Sequence, residues 1–81
     1  MNEINITIRY MGEKHTYPTQ DDVILEDLLQ QIAQRGNMPE RHDWIATKVG
    51  CDTALNLGAT LAANNIVDGD ILDLALPTKG G

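Results

Sequence analysis

The sequence predicts an α+β domain in which one helix packs on a mixed sheet of four or five strands. Apolar and polar residues alternate over residues 4–10 and again over residues 71–76, which is the period of half-buried strands. Between them, four apolar residues recur at the spacing of one helix face: Leu25, Leu28, Leu29 and Ile32. Alternating segments near both ends and an amphipathic helix between them favour a sheet covered on one face.

The first two strands are predicted to form a hairpin. Gly12 follows the first strand and is free to take a positive φ, which favours a tight turn. We expect the return strand over residues 15–17. Pro18 should end it, because proline cannot donate a ladder hydrogen bond.

The helix is predicted over about residues 23–35. Asp22 is its expected N-cap, since an aspartate carboxylate can accept hydrogen bonds from amides of the first turn. Gly36 or Asn37 supplies a left-handed stop, and Pro39 prevents the helix from continuing.

A third strand is predicted over residues 44–49. Lys48 should be solvated, which assigns Trp44 and Ala46 to the same outer face. The alternate residues then point into the core: Ile45, Thr47 and Val49. This assignment depends on Lys48 alone.

A short strand over residues 53–57, a connector over 58–65 that contains Leu61, and a turn at Asp68-Gly69 lead to the last strand. The order is therefore strand, strand, helix, strand, strand, strand, which is typical of the β-grasp fold. In that fold the first and last strands lie parallel at the sheet centre, joined by a crossover through the helix.

The composition is that of one small domain with a net charge of −6 and no basic cluster. Nucleic acid and anionic membranes are poor partners, because binding phosphate requires concentrated lysine and arginine. Cys51 is alone, so we expect no disulfide. The N-terminus alternates and is neither a signal peptide nor a membrane span. A cytoplasmic protein that is a monomer when free is the expectation.

The chain closes on a short polar segment after its last strand. Pro77 should end strand pairing, and Gly80 and Gly81 lack a Cβ that would block a narrow channel. We therefore predict a domain over residues 1–76 and a flexible diglycine tail over residues 77–81. The alternative is that the glycines belong to a frayed end without function.

Two families resemble this chain. The segments Met38-Pro39, Trp44-Ile45 and residues 66–72 are similar to the YukD/EsaB proteins, which are ubiquitin-like proteins found beside bacterial type VII secretion genes. Residues 60–81 resemble the end of ubiquitin without a gap, with these positions coinciding: Thr60-Leu61, Asn65-Ile66, Leu72, Leu74, Leu76 and Gly80-Gly81.

Together the resemblances imply a bacterial ubiquitin-like protein modifier with a covalent attachment site at Gly81. They imply as partners an activating enzyme that uses a nucleotide, a conjugating enzyme, a deconjugating metallopeptidase and target proteins. The tail residues to be recognised are Pro77, Lys79, Gly80 and Gly81. Pro77 stands where ubiquitin has an arginine, so a dedicated activating enzyme is expected.

The ubiquitin resemblance also implies a partner-docking surface on the open face of the sheet. Ubiquitin's apolar patch maps onto Met11, Ala46 and Ala75, with Trp44 nearby. The alternative for Trp44 is a side chain folded back over the edge of the core, since tryptophan is usually well buried. A modifier can be its own target, so the lysines are candidates for self-modification: Lys14, Lys48 and Lys79.

The residues themselves predict no active site, no metal site and no cofactor, so we expect that the protein is not an enzyme. His15 and His42 lie far apart and have no convincing partner for acid–base work. Cys51 is followed by Asp52, and an adjacent carboxylate disfavours the thiolate.

Two other functions remain open. A non-covalent accessory module of type VII secretion would explain the middle of the chain but not the tail. A sulfur carrier of the MoaD/ThiS kind would also end in Gly-Gly and be adenylated, but would yield a thiocarboxylate. Neighbouring genes for an activating enzyme, a conjugating enzyme and a metallopeptidase would favour the modifier.

Overall fold

The computed structural model describes residues 2–36, 43–51 and 53–76. Its elements are β1 (Glu3–Tyr10), β2 (Glu13–Gln20), α1 (Leu25–Gln34), β3 (Ile45–Lys48) and β4 (Ile71–Ala75). The strands form one four-stranded sheet in the order β2-β1-β4-β3. β1 and β4 are parallel at its centre, and the other two pairs are antiparallel. The predicted α+β β-grasp arrangement is confirmed.

The predicted strand over residues 53–57 is wrong, because this segment makes only an isolated bridge between Thr47 and Ala54. The N–H of Leu55 donates to the carbonyl of Ala46 at 2.7 Å. One backbone bond beside a bridge holds the segment against β3 without extending the ladder.

The hairpin turn consists of two residues, Met11 and Gly12, with φ values of 53° and 82°. The positive φ predicted for Gly12 is confirmed, and two successive positive values are those of a type I′ turn. β2 does not end at Pro18 as predicted but continues to Gln20. β2 is an edge strand, and an edge tolerates proline because half of its N–H groups point away from the sheet.

The helix starts later than predicted and is not capped by Asp22. Ile24 is the N-cap residue, and among the described residues no side chain caps it. Backbone carbonyls in and just before the connector take that role: the N–H of Leu25 donates to Ala59 at 3.0 Å and the N–H of Glu26 to Leu57 at 2.9 Å. At the other end, Gly36 has a φ of 85°, which confirms the predicted left-handed stop.

The connector is held by the Asn64 side chain. Its Oδ1 accepts from the N–H of Asn56 at 2.8 Å, and its Nδ2 donates to the carbonyls of Asn56 at 2.9 Å and Thr60 at 3.0 Å. Leu61, within the connector, is fully buried. One amide side chain therefore fixes the loop that caps the helix.

The core lies between α1 and one face of the sheet. It contains the predicted helix stripe and the alternating residues of β1 and β4, together with residues from β2, the connector and the β3 segment: Ile4, Ile6, Ile8, Tyr17, Leu25, Leu28, Leu29, Ile32, Ala33, Trp44, Ala46, Leu61, Ile66, Leu72 and Leu74.

The face assignment of β3 is inverted relative to the prediction. Trp44 and Ala46 are 5% and 1% exposed, whereas Ile45 is 41% exposed. The reason is Lys48, which shares the inward side of Ala46 but lies at the end of the strand. Its Nζ leaves the core and donates to the carbonyl of Asn65 at 2.9 Å. A lysine stem can cover apolar surface while its amine reaches polar groups, so Lys48 is no marker of an outer face.

Candidate functional site

The open face of the sheet, opposite α1, carries a polar row across all four strands. The register places Lys14 beside Arg9, Arg9 beside Asp73, and Asp73 beside Thr47. Residues that share a register position on the same face are close enough for their side chains to interact. This row is the polar centre of the surface.

An ion pair occupies the middle of the polar row. The Nε of Arg9 donates to one carboxylate oxygen of Asp73, and its Nη2 donates to the other at 2.6 Å. This hydrogen bonding, and then the negative charge of Asp73, raise the pKa of Arg9 above its ordinary value. Both side chains keep part of their surface in water. The pair therefore fixes the geometry of the surface more than it stabilises the fold.

Apolar side chains lie beside the polar row, at one end of the sheet. Ile45 and Ala75 are register partners, and both are exposed. Met11, at the tip of the hairpin, is 81% exposed. β1 and β4 are parallel, so the hairpin tip and the end of β4 lie at the same end of the sheet. We call Met11, Ile45 and Ala75 the exit patch, because the chain leaves the sheet there.

The exit patch differs in part from the docking surface that the sequence predicted. Met11 and Ala75 are exposed on this side of the molecule, whereas Trp44 and Ala46 belong to the core and cannot line the surface. Sequence reasoning missed Ile45. The usable signal was Trp44, since burying the tryptophan that directly precedes β3 turns its neighbour Ile45 outward.

Trp44 supports the end of the sheet from inside. Its ring packs edge-on against Tyr10 with the centroids 5.1 Å apart and the planes at 87°. It lies one position beyond the last register pair, Ile45 with Ala75, and therefore across from Leu76. Edge-to-face aromatic packing favours one orientation of both rings. The core is thus closed where β4 ends.

The predicted tail lies outside the described residues. β4 ends at Ala75, and Leu76 is the last residue that the structure describes. The tail-recognition residues Pro77, Lys79, Gly80 and Gly81 all follow it. The boundary between residues 76 and 77 and the flexibility of the tail stay predictions.

Among the described residues, the side chains considered for catalysis do not assemble into a reactive group. His15 lies 3.6 Å from a carboxylate oxygen of Glu13 on the exposed end of the hairpin. Cys51 is exposed in the turn after β3. His42 and Asp52 lie outside the described residues. Within residues 2–36, 43–51 and 53–76, no group of three histidine, cysteine or acidic residues could hold a metal ion.

None of the helices in the described part of the chain is long and apolar enough to cross a membrane.

No protein-family model and no curated protein matches this sequence. Solved structures do match it over nearly its whole length. A designed protein based on ubiquitin gives a TM-score of 0.77 at 23% identity, covering 96% of this chain and 93% of its own. The ubiquitin of Caldiarchaeum subterraneum gives a TM-score of 0.74 at 20% identity, covering 99% of this chain and 100% of its own.

A third match comes from a structure described as molecular mimicry of SUMO that promotes DNA repair. It has a TM-score of 0.79 at 14% identity and covers 94% of both chains. These likenesses show that the chain has the ubiquitin-like fold. Within that class, it matches the archaeal ubiquitin from end to end. The similarity to YukD/EsaB proteins and a bacterial source stay predictions.

Proposed function

We propose that this protein is a ubiquitin-like modifier that partner enzymes attach to other proteins through Gly81. The observation that carries the proposal is the end-to-end structural match to an archaeal ubiquitin, in a chain whose sequence closes on Gly80-Gly81. The exit patch supports it, because exposed apolar side chains surround the end of β4, from which the tail continues.

The chemistry belongs to the carboxylate of Gly81. An activating enzyme joins it to the adenylate of a nucleotide, and pyrophosphate leaves. A cysteine thiolate of that enzyme then displaces the nucleotide monophosphate and forms a thioester. After transfer to the conjugating enzyme, a lysine amine of the target displaces the thiolate and forms an isopeptide bond. A metallopeptidase reverses the attachment by hydrolysis.

The protein's own contribution is to hold and present the tail. β4 lies between β1 and β3, so the strand that precedes the tail is hydrogen-bonded on both sides. A partner that draws the tail into its channel therefore pulls on the centre of the sheet and not on an edge. The two glycines let the tail pass where a side chain would collide.

We infer that the partner enzymes dock on the exit patch. Exposed apolar side chains next to a polar rim are typical of protein interfaces. Ile45→Ala should weaken the binding of the activating enzyme in a titration, while leaving the melting temperature unchanged. Val67→Ala is the matched control, since Val67 is 58% exposed but lies at the opposite end of β4. Equal binding by the two variants would contradict docking at this patch.

The sequence allows a direct test of attachment. Trypsin cleaves after Lys79 and so leaves Gly80-Gly81 on any lysine to which the protein was joined. We expect lysines bearing Gly-Gly in peptides from the source organism when it expresses this protein.

Lys79→Ala is the control for that experiment, because the preceding tryptic site is then Lys48 and the small remnant disappears. Deletion of Gly80 and Gly81 should abolish attachment without changing the melting temperature. A Gly81 thiocarboxylate with no remnant on any lysine would favour the sulfur carrier. Full function of the tail-deleted protein would contradict both.

A further inference from the structure

The described part of the chain contains two lysines, and their amines differ in what they contact. The Nζ of Lys48 donates to the carbonyl of Asn65 at 2.9 Å and lies 3.0 Å from the Oδ2 of Asp70. Only 26% of the Lys48 side chain is exposed. This amine is held by a backbone carbonyl and a carboxylate.

The Lys48 contacts belong to a wider network. The same Oδ2 of Asp70 accepts a hydrogen bond from the N–H of Val67 at 2.8 Å, so Asp70 is fixed by its own turn. Lys48 therefore ties the end of β3 to the turn before β4. Acylation of its amine would remove the positive charge and break both contacts, which would loosen this turn.

Lys14 is placed differently. It is exposed on the edge strand β2, close to the hairpin tip and on the open face of the sheet. Its register partner is Arg9, which already binds both carboxylate oxygens of Asp73. Among the described residues, no hydrogen bond or ion pair engages the Lys14 amine. A large reagent can therefore reach it from the edge of the sheet.

We propose that Lys14 is the amine at which a second copy of this chain becomes attached, and that Lys48 is withheld from the same reaction. This inference depends on the proposed function, which supplies the reagent: the tail of one copy as a thioester on a partner cysteine. The accessibility of the two amines decides which lysine reacts, because an amine must lose its hydrogen bonds and a proton before it can act as a nucleophile.

The reaction is an acyl transfer without oxidation or reduction. The neutral Nζ of Lys14 attacks the thioester carbonyl of Gly81 from the second copy. The C–N bond forms and the C–S bond breaks, with the sulfur leaving as a thiolate. The proton lost from the nitrogen passes to solvent or to that thiolate. The products are an isopeptide-linked dimer and a free thiol.

The difference in reactivity can be tested without any enzyme. The purified full chain is treated with a limiting amount of an N-hydroxysuccinimide ester of acetic acid, and acetylation is followed by peptide mass spectrometry. We expect Lys48 to react about tenfold more slowly than Lys14, because its ammonium is hydrogen-bonded and partly buried. In urea the two rates should become equal. Equal rates in the native chain would overturn the proposal.

Asp70→Asn provides a second measurement on the same network. It keeps the shape of the side chain but removes the charge that faces Lys48. The acetylation rate of Lys48 should rise and that of Lys14 should not change. No change at Lys48 would show that its contacts do not control its reactivity, which would overturn the proposal.

Attachment itself is tested with conservative variants in the source organism. Lys14→Arg should eliminate the self-linked dimer and the Gly-Gly remnant on residue 14, whereas Lys48→Arg should retain both. Remnants on other proteins, or on Lys48 or Lys79 but never on Lys14, would overturn this inference and leave the proposed function standing. The absence of remnants from every lysine would overturn both.

Discussion

The two faces of the sheet are specified by different kinds of information. The face covered by α1 is built from regularly spaced isoleucine and leucine, such as Ile6 in β1 and Leu72 in β4. The open face is organised by Arg9 and Asp73, which lie 64 residues apart in the sequence. Burial of apolar surface follows a local period, whereas an ion pair across strands depends on a register that no single segment reveals.

β3 is where the two kinds of information conflict. The prediction placed Trp44 on the open face because Lys48 was assigned there, and both assignments are wrong. A shift of one residue moves every side chain of a strand to the other face. The apolar residues Trp44 and Ile45 are adjacent, so hydrophobicity alone does not decide which is buried.

The largest effect should come from Trp44→Ala. Removing a buried indole that packs against Tyr10 should lower the free energy of unfolding by about 3–5 kcal/mol. Urea unfolding followed by circular dichroism measures this change, since the variant lacks the chain's one tryptophan.

Ile45→Ala is the matched control from the next position. The exposed Ile45 side chain should contribute within about 0.5 kcal/mol. A larger loss for Ile45→Ala than for Trp44→Ala would show that the two faces of β3 are interchanged.

Leu28→Ala tests the covered face from the side of the helix. Leu28 is buried against the sheet, and truncating it should cost about 2–5 kcal/mol through lost burial and a residual cavity. Gln31→Ala on the exposed side of α1 serves as the control. A thermal transition of Leu28→Ala that coincides with that of Gln31→Ala would contradict the packing of this stripe.

The success of sequence reasoning follows the same division. The alternation of β1 and β4, the stripe on α1 and the glycine turns at Gly12 and Gly36 were predicted correctly, because each depends on neighbouring residues. The helix cap was not predicted correctly, since its acceptors are the carbonyls of residues 57 and 59, which lie more than 30 positions from the start of the helix. Two of the three exit-patch residues, Met11 and Ala75, were among the predicted docking residues, because their exposure does not depend on the face assignment of β3.

Asn64→Ala tests the non-local cap and should have an intermediate effect. Removing the side chain leaves its backbone partners in the connector unsatisfied, which should cost about 1–3 kcal/mol. The amides of Leu25 and Glu26 should then exchange their hydrogens faster, because the connector carbonyls that accept from them are less firmly held.

Asp22→Ala is the comparison for that variant, since the sequence predicted Asp22 as the cap. Its effect should be within about 0.5 kcal/mol, because no side chain of the described residues caps α1. A loss of stability in Asp22→Ala equal to that in Asn64→Ala would show that the Asp22 side chain caps the helix after all.

The smallest effect should come from breaking the ion pair on the open face. Arg9→Met keeps a long side chain over the sheet but removes the two hydrogen bonds to Asp73. Because both partners are partly solvated, water and salt screen their attraction. The melting temperature should fall slightly at low ionic strength, and the difference from the unmodified protein should vanish in concentrated salt.

Lys14→Met is the control for Arg9→Met. It removes one positive charge from the same row without breaking an ion pair, so the difference between the two variants isolates the contribution of the pair. Because the pKa of Arg9 is raised by its hydrogen bonds to Asp73, this contribution is fully present below the guanidinium's ordinary pKa and is lost only at strongly alkaline pH. At neutral pH Arg9 stays charged, so differential scanning fluorimetry across salt concentrations measures only how salt screens the Arg9–Asp73 pair. A large loss that persists in concentrated salt would mean that the open face, like the covered one, holds the sheet together.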